Sequence, residues 1–161
     1  MGNEAGVAMA DAIRSNITLQ AFPVYAADTS MGNEADVVMA DSIRVDTTLQ
    51  AFTFDASSSM GNEAGGAMAG AIRSTTTLQA FTVDAAYSSM DNEAGVAMAD
   101  AIRSNTMLQA FTVHASGSMG NETGDSMDDT IRNNIMLQAF TFHASYSIMD
   151  NEARVAVADA S

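Results

Sequence analysis

One block of about thirty residues recurs along the chain, and this recurrence constrains the fold more than any other feature. Met-Gly-Asn-Glu-Ala opens at Met1 and returns, with small changes, at Met31, Met60, Met90, Met119 and Met149, at spacings of 30, 29, 30, 29 and 30. A Leu-Gln-Ala-Phe block recurs at Leu19, Leu49, Leu78, Leu108 and Leu137, and an Ile-Arg pair at Ile13, Ile43, Ile72, Ile102 and Ile131. No composition shift interrupts this rhythm, and the lone Pro23 marks no linker. Residues 1–161 therefore read as a single domain of five units, starting at 1, 31, 60, 90 and 119, with a partial sixth from 149.

The first half of each unit has helical spacing. In the first copy Ala5, Ala8, Met9, Ala12 and Ile13 fall on one stripe roughly 140° wide at 100° per residue. Asn3 or Gly2 suits the N-cap, Glu4 places negative charge in the first turn, and Arg14 places positive charge in the last. Asp11–Arg14 can pair along the surface, as can Asp41–Arg44, Asp100–Arg103 and Asp129–Arg132, whereas Gly70 breaks the pattern in the third copy. The second half is short, β-branched and aromatic. Phe81 and Val83 alternate with Thr82 and Asp84, as a strand with one buried face requires. Serine-rich stretches such as Ser57-Ser58-Ser59 lead to the next helix.

Such a unit cannot bury its apolar side alone, but stacked copies can. Like strands then pair in parallel about 4.8 Å apart, while packed helices need about 8–10 Å. The array must curve, with strands inside and helices outside.

The helical block followed by Leu-Gln-Ala-Phe-Thr-Val resembles leucine-rich repeats of the ribonuclease-inhibitor and NOD-like-receptor type. That family's strand motif, LxxLxL, is matched by Leu49, Phe52 and Phe54 and by Leu78, Phe81 and Val83. Its helical core positions, four apart, are matched by Met31, Ala35, Met39 and Ile43. The resemblance implies an α/β solenoid: a curved leucine-rich-repeat horseshoe segment with a parallel β-sheet on the concave face and α-helices on the convex face. It departs from the pattern after the strand, where Ala27, Ser57, Ala86, Ser116 and Ser145 stand in place of the family's Asn. The two alanine positions there need another source of hydrogen bonds. Gly6, Gly65, Gly66, Gly95 and Gly124 lie inside helices at up to ~1 kcal/mol each against Ala, so low stability is expected. The chain opens in mid-unit at Met1 and reaches Ser161 where other copies carry Ile. The expectation is open ends that associate end to end, or a fragment of a larger array or receptor with no separate activity.

Charge and composition narrow the function. Twenty acidic residues face six arginines, for a net charge of −14. Such a chain repels phosphate backbones and anionic headgroups, so nucleic-acid and membrane-surface partners are not expected, and a protein partner of basic character is. No apolar run approaches the ~20 residues of a membrane span, and no basic-then-apolar signal segment opens the chain. A cytoplasmic location is expected. Cysteine is absent, which removes disulfides, thiolate metal sites and a Cys nucleophile. Asn16-Ile17-Thr18 and Asn121-Glu122-Thr123 match the glycosylation acceptor pattern but carry little weight without a secretory signal.

The exposed columns of the sheet are readable directly. One is Gln20, Gln50, Gln79, Gln109 and Gln138, and the next is alanine throughout. Then come Pro23, Thr53, Thr82, Thr112 and Thr141. The last, Tyr25, Asp55, Asp84, His114 and His143, is the only varied and chemically rich one. With the threonines it forms the candidate partner-binding stripe. Two histidines are too few for a dedicated metal site. Ser116 and Ser145 follow His114 and His143 by two residues, but no oxyanion donor or orienting acid accompanies them. The glycines of Gly-Asn-Glu-Ala-Gly lack nucleotide-loop spacing. Asp125, Asp128 and Asp129 lack calcium-loop spacing. The methionine columns read as core. The reading is a non-enzymatic protein-interaction scaffold without cofactor, metal or catalytic residues. The alternative is a surface-adsorbing, ice-binding-like protein displaying its Ala and Thr columns, against which curvature and a single Thr column argue.

Overall fold

The computed structural model describes residues 2–26, 31–56, 60–116 and 119–145, without the side chains of 116, 144 and 145. The partial sixth unit from Met149, and Ala27 and Ser57 after the first two strands, lie outside these residues. Five helices alternate with five strands among the described residues: α1 (Asn3–Ser15), β1 (Ala21–Tyr25), α2 (Asn33–Val45), β2 (Ala51–Asp55), α3 (Asn62–Ser74), β3 (Ala80–Ala85), α4 (Asn92–Ser104), β4 (Ala110–Ser116), α5 (Asn121–Asn133) and β5 (Ala139–Ser145). The strands form one sheet in chain order, β1-β2-β3-β4-β5, and every pair is parallel. The result is the curved α/β solenoid that the repeat requires, with the sheet on the concave face and the helices on the convex face.

Register follows the repeat. Phe52 pairs with Phe81, Phe81 with Phe111 and Phe111 with Phe140, so identical side chains stack along the array. Phe81 sits 5.8 Å from Phe52 and 6.0 Å from Phe111, ring centre to ring centre. Leu49, Leu78 and Leu108 close the same layer from the strand side, and Met39, Met68 and Met98 from the helix side, all buried.

An inner helix is buried on more than one stripe. Its floor rests on the sheet, and both flanks meet neighbouring helices. Thus Ala64, Met68, Ala71 and Ile72 of α3 are buried, and so are Gly65 and Ala69. In α1, by contrast, Ala5, Ala8 and Ala12 are exposed and Gly6, Ala10 and Ile13 are buried. Its stripe is rotated toward α2, the one helix packed beside it.

The intrahelical glycines have a packing role that their helix propensity alone does not show. A Cβ on Gly6 would lie 2.9 Å from Ala35 Cβ, one on Gly65 2.8 Å from Ala94 Cβ, and one on Gly95 2.4 Å from Thr123 Oγ1. Helix spacing depends on the side chains at the contact. Glycine here lets the helices approach, narrowing the mismatch with the strand spacing and relaxing the curvature. Asp36 occupies the corresponding place in α2 and is completely buried.

Two hydrogen-bond columns tie the copies together. At the helix starts the N-cap is Gly2, Gly32, Gly61 or Gly120, none with a side-chain cap, and only Asp91 caps its own helix, accepting from Glu93 N. The asparagine that sequence offered as a cap is instead the first helical residue, and it reaches the next copy. Asn3 Oδ1 accepts from Gly32 N (2.6 Å), Asn33 Oδ1 from Gly61 N (3.1 Å), Asn62 Oδ1 from Asp91 N (2.8 Å) and Asn92 Oδ1 from Gly120 N (2.7 Å). At the helix ends stand Asn16, Asp46, Thr75, Asn105 and Asn134. Asn105 Oδ1 accepts from Met107 N and Leu108 N, while its amide donates to Ile72 O and Thr75 O of the preceding copy. Asn134 repeats the pattern, donating to Ile102 O at 2.8 Å. Asn16, Asp46, Asn105 and Asn134 thus satisfy the backbone where their helices turn into strands, and Asn105 and Asn134 also bind the preceding copy.

The surface ion pairs follow expectation in three copies, Asp11–Arg14, Asp41–Arg44 and Asp100–Arg103. The fourth differs. Arg132 takes Asp128 at 2.8 Å, one helical turn back, and Asp129 turns to Arg103 of the preceding helix, also at 2.8 Å. Two acids at 128 and 129 let α5 satisfy both arginines. Among the described residues no helix is long and apolar enough to cross a membrane.

Candidate binding face

Parallel register fixes the exposed columns of the sheet. Pro23, Thr53, Thr82, Thr112 and Thr141 are cross-strand partners in sequence, and so are Tyr25, Asp55, Asp84, His114 and His143. The threonines are half-buried, and Gln20, Gln50, Gln79 and Gln138 are exposed. Pro23 fits the first strand without loss of a ladder bond. Ala51 N donates back to Gln20 O. By the two-residue period of a strand, a donor at position 23 would point away from β2, where its absence costs nothing.

The row at the C-terminal ends of the strands carries the chemistry. Tyr25 is 73% exposed. Asp55, Asp84 and His114 are half-buried, and His143 is exposed. His114 Nδ1 lies 3.4 Å from Asp84 Oδ2, and its ring meets His143 edge-on at 4.9 Å. Asp84 Oδ1 accepts from Ala86 N at 3.0 Å. One carboxylate thus faces the histidine pair with one oxygen and holds the turn after β3 with the other. That contact satisfies one backbone donor of the turn in which Ala86 stands.

Neighbouring members of the row can act on one group, but the row as a whole cannot converge. Tyr25 and His143 are four strand intervals apart, about 19 Å at the usual spacing. Among the described residues no cluster of three or more His, Cys, Asp or Glu has the arrangement to hold a metal. The side chains of Ser116 and Ser145 lie outside the described residues. The five described arginines all sit on helices or their last turns, so the sheet face carries acids and imidazoles without a guanidinium. A depression of about 440 Å³ lined by Asn3, Glu4, Val7, Ala8, Asp11 and Glu34 lies on the helical side, away from this row.

Column spacing located the row, but the turn beyond it was not foreseen. Ala85–Ser88 form a tight turn closed by Ser88 N to Ala85 O at 3.1 Å, and Tyr87 within it is 75% exposed. Serine-rich composition marks a connection to the next helix and says nothing of the turn's conformation.

A parallel sheet of like strands, each returned by one helix, with LxxLxL side chains buried beneath, defines a solenoid of leucine-rich-repeat type. Two solved structures share the architecture. One is the leiomodin-1 actin-binding site 2, at 15% identity and TM-score 0.65, covering 98% of this chain and 86% of that one. The other is the tropomodulin C-terminal domain of Caenorhabditis elegans, at 12% identity and TM-score 0.67, covering 99% and 91%. At these identities the likeness is one of fold. No protein-family model and no curated protein sequence matches the chain.

Proposed function

We propose that the chain is a non-enzymatic protein-interaction scaffold, taking a protein partner of basic character on its concave sheet face. The observation that carries this reading is the contrast between columns. Gln, Ala and Thr repeat almost unchanged across the face, while Tyr25, Asp55, Asp84, His114 and His143 bring three residue types into one continuous row. Repetition meets the needs of stacking, and variation in an exposed row is what discrimination between partners requires. The net charge of −14 and, among the described residues, the absence of arginine from the sheet face support a basic partner. Unit length and the helical convex half support repeats of the ribonuclease-inhibitor and NOD-like-receptor type. Residues 1–161 form a single domain on this reading. The exposed alanines of α1 support end-to-end self-association, and a cysteine-free chain suits the cytoplasm.

One fold neighbour is an actin-binding site, so actin enters the test on fold likeness alone and not on charge. The test compares the wild-type chain with a variant carrying Ser at Asp55, Asp84, His114 and His143, in affinity capture and actin co-sedimentation. Loss of the captured partners on substitution is the expected result. Binding that survives all four changes would refute the stated face.

A further inference from the structure

Tyr87 is the one residue other than glycine with a positive φ, at 61°, among the described residues. In this left-handed region the Cβ of an L-residue crowds the following carbonyl, and a bulky side chain there is an outlier. The residue is third in the turn Ala85–Ser88, a place that asks for Gly or Asn. Gly117 stands at the corresponding position of the fourth copy and Tyr146 at that of the fifth, so the repeat admits glycine here and does not use it at 87. Burial does not explain the tyrosine either, since it is 75% exposed.

The turn is held from both sides. Ala86 N donates to Asp84 Oδ1 at 3.0 Å. Ser88 is 8% exposed, its hydroxyl accepts from Met90 N at 3.4 Å, and Ser89 N donates to Met60 O at 3.0 Å. Strained backbone persists where its surroundings over-determine it, and it concentrates at binding sites. Here the strained turn carries a 75% exposed tyrosine three residues after Asp84, just beyond the C-terminal end of β3.

We infer that Tyr87 is the aromatic anchor of the partner site, receiving a lysine or arginine side chain of a basic protein segment across its ring. The inference rests on the concave-face reading above. A cation over a tyrosine face is attracted by the ring quadrupole. Asp84, three residues before it in the chain, and its cross-strand partner Asp55 place negative charge along the adjoining row. Buried tyrosines carry a disproportionate share of interface energy, and a ring fixed on a rigid turn loses little entropy on binding. Asp84 acts in two ways: it is part of the row, and it positions the turn.

The experiment selects a displayed library of random peptides on the wild-type protein. The enriched peptides are then titrated against wild type, Tyr87→Phe, Tyr87→Asn and the four-serine variant. Asparagine tolerates the left-handed conformation, so Tyr87→Asn is expected to melt no lower than wild type while losing the ring. Enrichment of Lys- or Arg-containing peptides, a loss of at least ~10-fold in Tyr87→Asn, and retention in Tyr87→Phe are expected for one anchor. Full affinity in Tyr87→Asn with loss in the four-serine variant overturns the anchor and leaves the concave face standing. Full affinity in both overturns both. Failure to enrich any peptide, or enrichment of peptides without a basic residue, also overturns the anchor as stated.

Discussion

Gly65 and Gly66 are adjacent in α3, and alanine at each is expected to shift stability in opposite directions. A Cβ at position 66 meets nothing within 4 Å. Its benefits are reduced freedom of the unfolded chain and better helix propensity, about 0.4–1 kcal/mol. A Cβ at position 65 meets Ala94 Cβ at 2.8 Å. Both carbons are fixed to helical backbone, so neither can rotate away, and α3 and α4 must separate locally by roughly half an ångström. On its far side α4 is already tight, because a Cβ on Gly95 would fall within 2.4–3.0 Å of three Thr123 atoms. Overpacking of this kind costs about 1–3 kcal/mol, against a helix gain of at most ~1 kcal/mol. The net expectation is a loss near 1 kcal/mol for Gly65→Ala and a gain approaching 1 for Gly66→Ala. The two variants should differ by about 4–8 °C in melting temperature. Urea and thermal unfolding followed by far-UV circular dichroism measure both. A Gly65→Ala protein as stable as wild type would refute the close-approach argument, and instability in both would refute the propensity argument.

Two further substitutions test the tie between copies. Asn105→Ala removes a side chain that is 4% exposed and bonded to four backbone groups in two copies. Its cost should be about 2–4 kcal/mol, because buried groups are left unsatisfied, whereas Asn16→Ala, exposed in the first copy, should cost about 1 kcal/mol or less. Equal effects in denaturant titrations would contradict the ladder. Phe81→Ala empties the middle of the phenylalanine stack and should cost about 3–5 kcal/mol. Phe140→Ala, in a half-buried place, should cost visibly less by calorimetry.

Most of the architecture was legible because the repeat itself encodes the neighbours. Once Leu78, Phe81 and Val83 are matched to Leu108, Phe111 and Val113, the register of β3 against β4 follows. The exposed row from Tyr25 to His143 follows from the same alignment. What escaped was contact between copies that a single unit does not display. Asn3 looks like a cap for its own helix, and only stacking shows that it serves Gly32. The column Asn16, Asp46, Thr75, Asn105 and Asn134 is chemically mixed, so the role that Asn16, Asp46, Asn105 and Asn134 share is hidden, although its constant place after the Ile-Arg pair is a usable signal. Gly6, Gly65 and Gly95 looked like losses because helix propensity is local, while the atoms that need their absent side chain belong to the next helix. Sequence spacing pairs Asp129 with its own arginine for the same reason, whereas it meets Arg103 of the preceding helix. The left-handed Tyr87 had no signal in its own copy, and only Gly117 one copy later hints at the turn it occupies.

The account depends on like strands lying side by side in parallel register. Spin labels on cysteine pairs in a chain with no native cysteine test this directly by pulsed dipolar spectroscopy. Pairs at Gln20–Gln138 and at Tyr25–His143 mark the two ends of the same pair of strands, β1 and β5. Both should report backbone separations near 19 Å, four strand spacings, and the two distances should agree. Distances that diverge between the two pairs, or that far exceed this separation, would mean that the strands are not stacked in parallel register.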